Sequence, residues 1–135
     1  MRDLLDKLRQ IKEEIVQEKG ELALFGLFER EDAWERWDLI VAARWTAVGL
    51  RASIDYVIDK MREHLTLREF LQIARVVPLL PSVPFVKTVQ EMAGEVDGLK
   101  ELPGFEFDGM ELKRGYVLLS HPEHEAAARA EMAAT

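Results

Sequence analysis

The sequence contains no cysteine, which excludes disulfide bonds, thiolate metal sites and a cysteine nucleophile. No apolar run approaches the length of about 18 residues that a membrane-spanning helix needs. The N-terminus passes directly into an amphipathic, charge-rich pattern instead of the apolar core of a secretory signal. These absences predict a cytoplasmic protein without a membrane partner.

Catalytic signatures are equally scarce. Ser53, Ser82 and Ser120 lie in no nucleophile-elbow pattern, and the sequence has no Walker loop, Rossmann glycine pattern or zinc motif. His121 and His124 stand three residues apart, but two imidazoles without a third fixed ligand make a poor metal site. A solvated turn is the simpler interpretation of that pair. We therefore expect neither a metal nor a cofactor.

Basic residues are outnumbered, with 18 lysines and arginines against 25 aspartates and glutamates. The net charge of -7 repels phosphate polymers, so nucleic acid is an unexpected partner. Hydrophobic residues make up 48% of the 135 positions and charged residues 32%, a balance typical of one globular domain. We predict a single domain over 1–135: a core over 1–94, a loop and C-terminal hairpin over 95–120, and a terminal helix or tail over 121–135.

A helix is predicted at the N-terminus, because Leu4, Leu8 and Ile11 recur at helical spacing. Asp3 is expected to cap its start, and Gly20 follows its end. The next segment, 21–29, is apolar on both faces. That pattern is typical of a central strand in a sheet covered on both sides.

A second strand is predicted over 37–45, after a charged loop over 30–36. Thr46 is expected to cap a helix that continues to Leu65. A capping box at Thr66 then predicts a short helix.

Segment 73–80 has the composition of a third strand, in which Pro78 indicates a sheet edge or a bulge. Pro84 opens a further helix that ends at Gly94. We expect a loop over 95–104, because that segment contains two glycines and a proline.

The C-terminal part predicts a hairpin over 105–112 with Asp-Gly as its turn, and a further strand over 116–119. The order is helix, strand, strand, helix, short helix, strand, helix, then two strands. We therefore predict an α+β fold in which helices flank a mixed sheet.

One stretch also carries a family pattern: Leu24-Phe25-Gly26, a charged loop with Arg30 and Asp32, and then Asp38-Leu39-Ile40-Val41. Together with the order of elements, it resembles the minimal nucleotidyltransferases. In that family a Gly-Ser turn holds the triphosphate, and two aspartates one residue apart on the next strand bind magnesium, joined by a carboxylate from a later strand. The resemblance implies a nucleotidyltransferase-like fold over about residues 1–92. It also implies an antitoxin-like role, because small members of the family are partners of helical nucleases.

The residues that carry out the family's chemistry are missing here. Two carboxylates at i and i+2 on a strand share a face and can hold magnesium. Asp38 matches the second of these carboxylates, but the first position is occupied by Arg36, a cation that would repel magnesium. Leu27 replaces the serine, and the third strand over 74–78 offers no carboxylate. We expect a non-catalytic protein in which Asp38 pairs with Arg36 or Arg44.

Two other functions use the same residues. A magnesium-dependent nucleotidyl or phosphoryl transferase could have rebuilt its metal site from Asp38 and acids of the neighbouring loop. These acids are Glu29, Glu31, Asp32 and Glu35. A nucleotide-binding domain without turnover would need a cleft beside Gly26, lined by Arg30 or Arg44. Arginines among so many acids more often form surface pairs.

Three tryptophans lie close together in the sequence. Trp37 and Trp45 share a strand face with apolar residues, so core packing is the simpler interpretation for both. Trp34 lies in the charged loop and is a candidate for a partner contact. The leading hypothesis is a non-catalytic protein that acts through a protein partner or as a homo-oligomer, with ligand contacts, if any, at Gly26, Arg30, Asp38 and Arg44.

Overall fold

A computed structural model describes residues 1–32 and 36–122 and shows four α-helices and six strands within those ranges. The α+β class with a mixed sheet is confirmed. The elements follow in this order: α1 (Arg2–Lys19), β1 (Leu24–Arg30), β2 (Trp37–Ala42), a 3₁₀-helix (Arg44–Val48), α2 (Leu50–His64), α3 (Leu67–Gln72), β3 (Ile73–Leu79), α4 (Pro84–Ala93), β4 (Val96–Leu102), β5 (Phe105–Phe107) and β6 (Met110–Ser120).

The strands form one sheet in the order β3-β2-β1-β6-β4, and β5 pairs with the remaining length of β6. β2 and β3 are parallel, whereas the other neighbours are antiparallel. β1 therefore lies between β2 and β6, as its two apolar faces predict. β3 is an edge strand, which is the position that Pro78 indicates.

Each face of the sheet has its own apolar core. On one face α1 and α2 cover Phe25 and Leu27 of β1 together with Leu39 of β2. On the other face α4 covers Leu24 and Phe28. Alternate residues of β1 thus enter different cores, so nearly the whole strand is removed from water.

Two predicted caps and one strand end are wrong. Met1 occupies the N-cap position of α1, and Asp3 lies in its first turn without capping it. β2 ends at Ala42, and the chain then turns into the 3₁₀-helix. The Thr46 hydroxyl donates to the carbonyl oxygen of Ala43 at 2.8 Å and lies 2.9 Å from that of Leu79, so it fixes the 3₁₀-helix instead of capping α2. Gly49 precedes α2.

The expected loop over 95–104 is also wrong, because Val96–Leu102 forms β4 at the second edge of the sheet. The hairpin is confirmed: β5 and β6 meet at a turn that contains Asp108 and Gly109, both at positive φ. The strand expected over 116–119 is the second half of the same long β6. Because β6 pairs with β1, residues 95–120 complete the core over 1–94.

The other residues predicted to begin or end a helix do so in the structure. Gly20 and Gly94 end α1 and α4, and Thr66 and Glu69 form the reciprocal hydrogen bonds of a capping box. No helix in the described residues is both long and apolar enough to cross a membrane. The terminal helix or tail predicted over 121–135 lies outside the described residues from 123 onward.

Candidate functional site

Asp38 is a buried carboxylate held between two arginines. One of its oxygens, Oδ2, lies 3.0 Å from Nη2 of Arg75 and 3.2 Å from Nε of Arg30. Asp38 and Arg75 are register partners on the parallel strands β2 and β3, and Arg30 ends β1. An arginine partner was expected for Asp38, but the expected partners Arg36 and Arg44 are wrong.

Among the described acids around Asp38, Asp32 approaches it through a shared arginine, whereas Glu29 does not. Asp32 is largely exposed and lies 3.7 Å from Arg30, which it shares with Asp38. Glu29 stands opposite Trp37 in the β1–β2 register, whereas Asp38 stands opposite Phe28, so the two carboxylates project to opposite faces of the sheet. Glu35, the remaining predicted acid, lies outside the described residues, and Glu31 is exposed.

Glu29 is a second buried carboxylate with an arginine partner, and the sequence analysis did not predict this pair. Its Oε1 lies 3.4 Å from Nε of Arg114 on β6, and only 3% of the residue is exposed. The Arg114 guanidinium also lies 5.2 Å from the centre of the Trp37 ring, within the range of a cation–π contact. These contacts give Glu29 a packing role on the α1–α2 face.

Gly26 lies in the middle of β1, with no turn beside it. A Cβ at this position would lie 2.7 Å from the Tyr116 carbonyl oxygen and 3.2 Å from Cε2 of Phe28. The glycine therefore permits a close approach of β1 to β6. Within the described residues, these contacts fill the space beside Gly26, and the expected turn after it is replaced by strand that continues to Arg30.

Arg44 lies at the other end of β2 from Asp38, just after the strand ends. There it lines a cleft of about 310 Å³ between the 3₁₀-helix and the start of α4. The polar residues of this cleft are Arg44, Ser82, Lys87, Gln90 and His121. The structure thus separates the four predicted ligand residues: Arg30 and Asp38 meet, Arg44 lies in a different site, and Gly26 is packed within the sheet.

Trp37 and Trp45 pack against the core, as the sequence predicts. Trp37 is 2% exposed in the core on the α1–α2 face. Trp45 is partly buried against the same core, with its ring 5.7 Å from that of Tyr56. Trp34, the candidate for a partner contact, lies outside the described residues.

A group of ligating side chains between α1 and α2 was not predicted. Within 1–32 and 36–122, Glu14, Glu63 and His64 are the one set of three whose donor atoms lie within 4.8 Å of one another. The ammonium of Lys60 lies among them, 3.2 Å from Glu14 and 3.8 Å from Glu63, and it also binds Glu18. The Lys60 ammonium thus already contacts both carboxylates that a metal would need.

The surroundings of this group shift the pKa values of its acids. His64 lies 2.7 Å from Glu14, and this contact, followed by that of Lys60, lowers the pKa of the Glu14 carboxyl. The hydrogen bonds from Lys60 and Tyr56 lower the pKa of Glu18. Glu18 in turn contributes to the raised pKa of Lys60. The group is therefore an ion-pair network between two helices, in which Lys60 contacts three carboxylates.

No protein-family model, curated protein or solved structure matches this chain. The resemblance to nucleotidyltransferases therefore stays a prediction from the sequence.

Proposed function

We propose that this chain is a non-catalytic, nucleotidyltransferase-like protein that acts through protein contacts, in an antitoxin-like or regulatory role. One observation supports this proposal above the others: the carboxylate of Asp38 binds Arg30 and Arg75. In a catalytic relative, the corresponding carboxylate would be available to magnesium.

The electrostatics around Asp38 oppose metal binding. Two guanidinium groups within 3.2 Å of one carboxylate oxygen compensate its charge and repel a divalent cation. Phosphoryl or nucleotidyl transfer depends on metal ions that neutralise charge in the transition state. A magnesium-dependent reaction would therefore require both arginines to leave Asp38.

An exposed apolar pair supports the protein-contact part of the proposal. Leu67 and Leu71 stand four residues apart on α3, hence on one side of the helix, and are 74% and 59% exposed. α3 leads directly into β3, whose outer edge has no partner strand in the described residues. Exposed leucines beside a strand edge form a surface that another protein chain can cover.

Thermal unfolding with ATP, with and without Mg²⁺, tests the absence of a metal site. We expect Mg²⁺ to add no stabilisation beyond that given by ATP alone, whereas a ligand at about a hundred times its dissociation constant would add about 2.7 kcal/mol. A Mg²⁺-dependent rise of the melting temperature that Asp38→Asn abolishes and Asp55→Asn retains would instead support the transferase alternative.

The contact surface is tested by light scattering coupled to size-exclusion chromatography. We expect a particle larger than the 15.5 kDa monomer, and dissociation on replacing both leucines by Leu67→Glu and Leu71→Glu. Leu99→Glu on β4 is the matched control, because Leu99 is 46% exposed and lies at the opposite edge of the sheet. A monomeric wild-type protein would contradict self-association and direct the proposal to a heterologous partner.

A further inference from the structure

We propose that the cleft lined by Arg44, Lys87 and His121 is a binding site for a small phosphorylated molecule. This site goes beyond the proposed function, because it lies at the other end of β2 from Asp38 and involves none of the residues around that carboxylate. The proposal depends on the position of the cleft, the fixation of its walls and the charge of its lining.

The cleft lies where the connections after the parallel strands diverge. After β2 the chain enters the 3₁₀-helix, and after β3 it turns through Pro81 and Ser82 into α4. Ligands of sheets with parallel strands commonly bind outside the carboxyl ends of those strands, in the space between such diverging connections. The cleft occupies that place between β2 and β3.

Hydrogen bonds hold the walls of the cleft in place. The backbone N–H of Ala43, which precedes the 3₁₀-helix that carries Arg44, donates to the carbonyl oxygen of Leu79 at 3.1 Å. On the other side, the Ala23 carbonyl accepts from Nε2 of Gln90 at 3.0 Å and from the backbone N–H of His121 at 2.9 Å. α4, β6 and the start of β1 are thereby tied together, so a ligand would meet a largely preformed site.

The lining has the opposite sign from the chain as a whole. Arg44 and Lys87 are its cations, and the described residues contribute no carboxylate to the lining, although the chain carries a net charge of -7. Lys87 forms no ion pair with any residue in the described ranges. His121 adds a polar group and not a counted charge, because its Nδ1 already lies 2.7 Å from Glu95. An anion is therefore the ligand that fits this charge.

Phosphate is the anion that fits best. Arginine and lysine recognise phosphate through charge-assisted hydrogen bonds, and the Ser82 hydroxyl adds a neutral donor. α4 contributes Lys87 and Gln90 to the lining, so one charged and one neutral donor come from the same helix.

The size of the cleft favours a small molecule over a polymer. Its volume of about 310 Å³ is near the lower end of the range for ligand pockets, roughly 300–1,000 Å³. The net charge of -7 repels a long polyanion, whereas a single phosphate group meets mainly the local positive charge. We therefore assign the site to a phosphate monoester and not to nucleic acid.

Isothermal titration calorimetry without Mg²⁺ tests the site, with inorganic phosphate and adenosine 5′-monophosphate as probes and adenosine as the uncharged control. We expect saturable binding of the phosphorylated probes and none of adenosine. Lys87→Gln and Arg44→Gln should each weaken binding roughly tenfold or more, because each removes a charged partner of the phosphate. Lys113→Gln, an exposed change of equal charge on β6, should stay within about twofold of wild type.

The absence of saturable binding of both phosphorylated probes up to about 10 mM would overturn the proposal, because such an affinity is weaker than a specific site provides. It would also be overturned if Lys113→Gln weakened binding as much as Lys87→Gln, since that would indicate general charge attraction. Circular dichroism of each variant controls for folding. Since Mg²⁺ is absent and Asp38 unchanged, the outcome is independent of whether the protein proves catalytic.

Discussion

At Gly26 a single missing methyl group sets the distance between two strands. Gly26→Ala would bring Cβ to 2.7 Å from the backbone oxygen of Tyr116, so β1 and β6 would have to separate. We expect a loss of about 3 kcal/mol in the free energy of unfolding, measured by urea denaturation. Gly115→Ala probes the same packing from β6, because its Cβ would lie 2.7 Å from two ring atoms of the buried Phe28, and it should also destabilise the fold. A loss below about 1 kcal/mol for Gly26→Ala would contradict this explanation.

The charge on Asp38 gives a second prediction for a single residue. Asp38→Asn removes the anion between Arg30 and Arg75, and breaking a fully buried ion pair costs about 3–5 kcal/mol. Because the Arg75 side chain is 51% exposed, we expect a smaller loss of about 2 kcal/mol by urea denaturation. Asp55→Asn is the control, since Asp55 and its partner Arg51 are both largely exposed. A neutral effect of Asp38→Asn would show that the arginines do not need this carboxylate.

The sequence predicts the kind of partner that Asp38 has but not its identity. An acid among arginines on an apolar strand predicts an ion pair. Arg75, however, becomes its neighbour only through the parallel register of β2 and β3, which includes an irregularity between Trp37 and Asp38. Local alternation carries no information about a register between segments this distant. Arg36 and Arg44, the partners expected from the same strand, are exposed instead.

Among the elements, the contact between α1 and α2 should be sensitive to acid. Lys60 binds Glu14 and Glu18, whose pKa values lie below the ordinary value of 4.5. A carboxylate with a lowered pKa stabilises the folded state above the unfolded pKa, and this contribution disappears as the pH falls through the folded pKa. Wild-type stability should therefore decrease as the pH falls from about 5 to about 3.

Lys60→Met tests this contact, because it keeps the aliphatic length of the side chain and removes its charge. We expect a lower melting temperature than wild type at pH 7 and a difference that shrinks below about pH 4, when the carboxylates become protonated. Lys113→Met controls for the change in net charge. A difference that is constant across the pH range would mean that Lys60 stabilises the helices by packing alone.

The elements with strong local signals were predictable, and β4 was not. The two apolar faces of β1, the Asp-Gly hairpin and the capping box at Thr66 each have a local physical cause. β4 contains Gly98 at positive φ and carries apolar residues at every third position instead of alternating. Its pairing with β6 shifts register between Asp97 and Lys100, so β6 and not local propensity determines this strand.

In the whole molecule, the C-terminal strand completes the N-terminal half. β6 lies next to β1 in the middle of the sheet and contributes Leu118 to one core and Val117 to the other. A further link comes from Lys12 of α1, which is buried and lies 2.7 Å from Asp97 of β4. Residues 1–94 therefore do not form a core of their own, because the C-terminal strand β6 contributes to both apolar cores.

This arrangement predicts that the fragment 1–94 does not fold by itself. Without β6, one edge of β1 loses its hydrogen-bonded partner, both apolar cores lose part of their covering, and Lys12 loses its carboxylate. We expect no cooperative urea transition for the fragment and tryptophan emission typical of solvent-exposed rings, because Trp37 packs against Tyr116 of β6. The full chain should unfold in one cooperative transition with blue-shifted emission in the folded state. Cooperative unfolding of 1–94 would show instead that the first three strands and their helices are a self-sufficient unit to which the C-terminal strands are added.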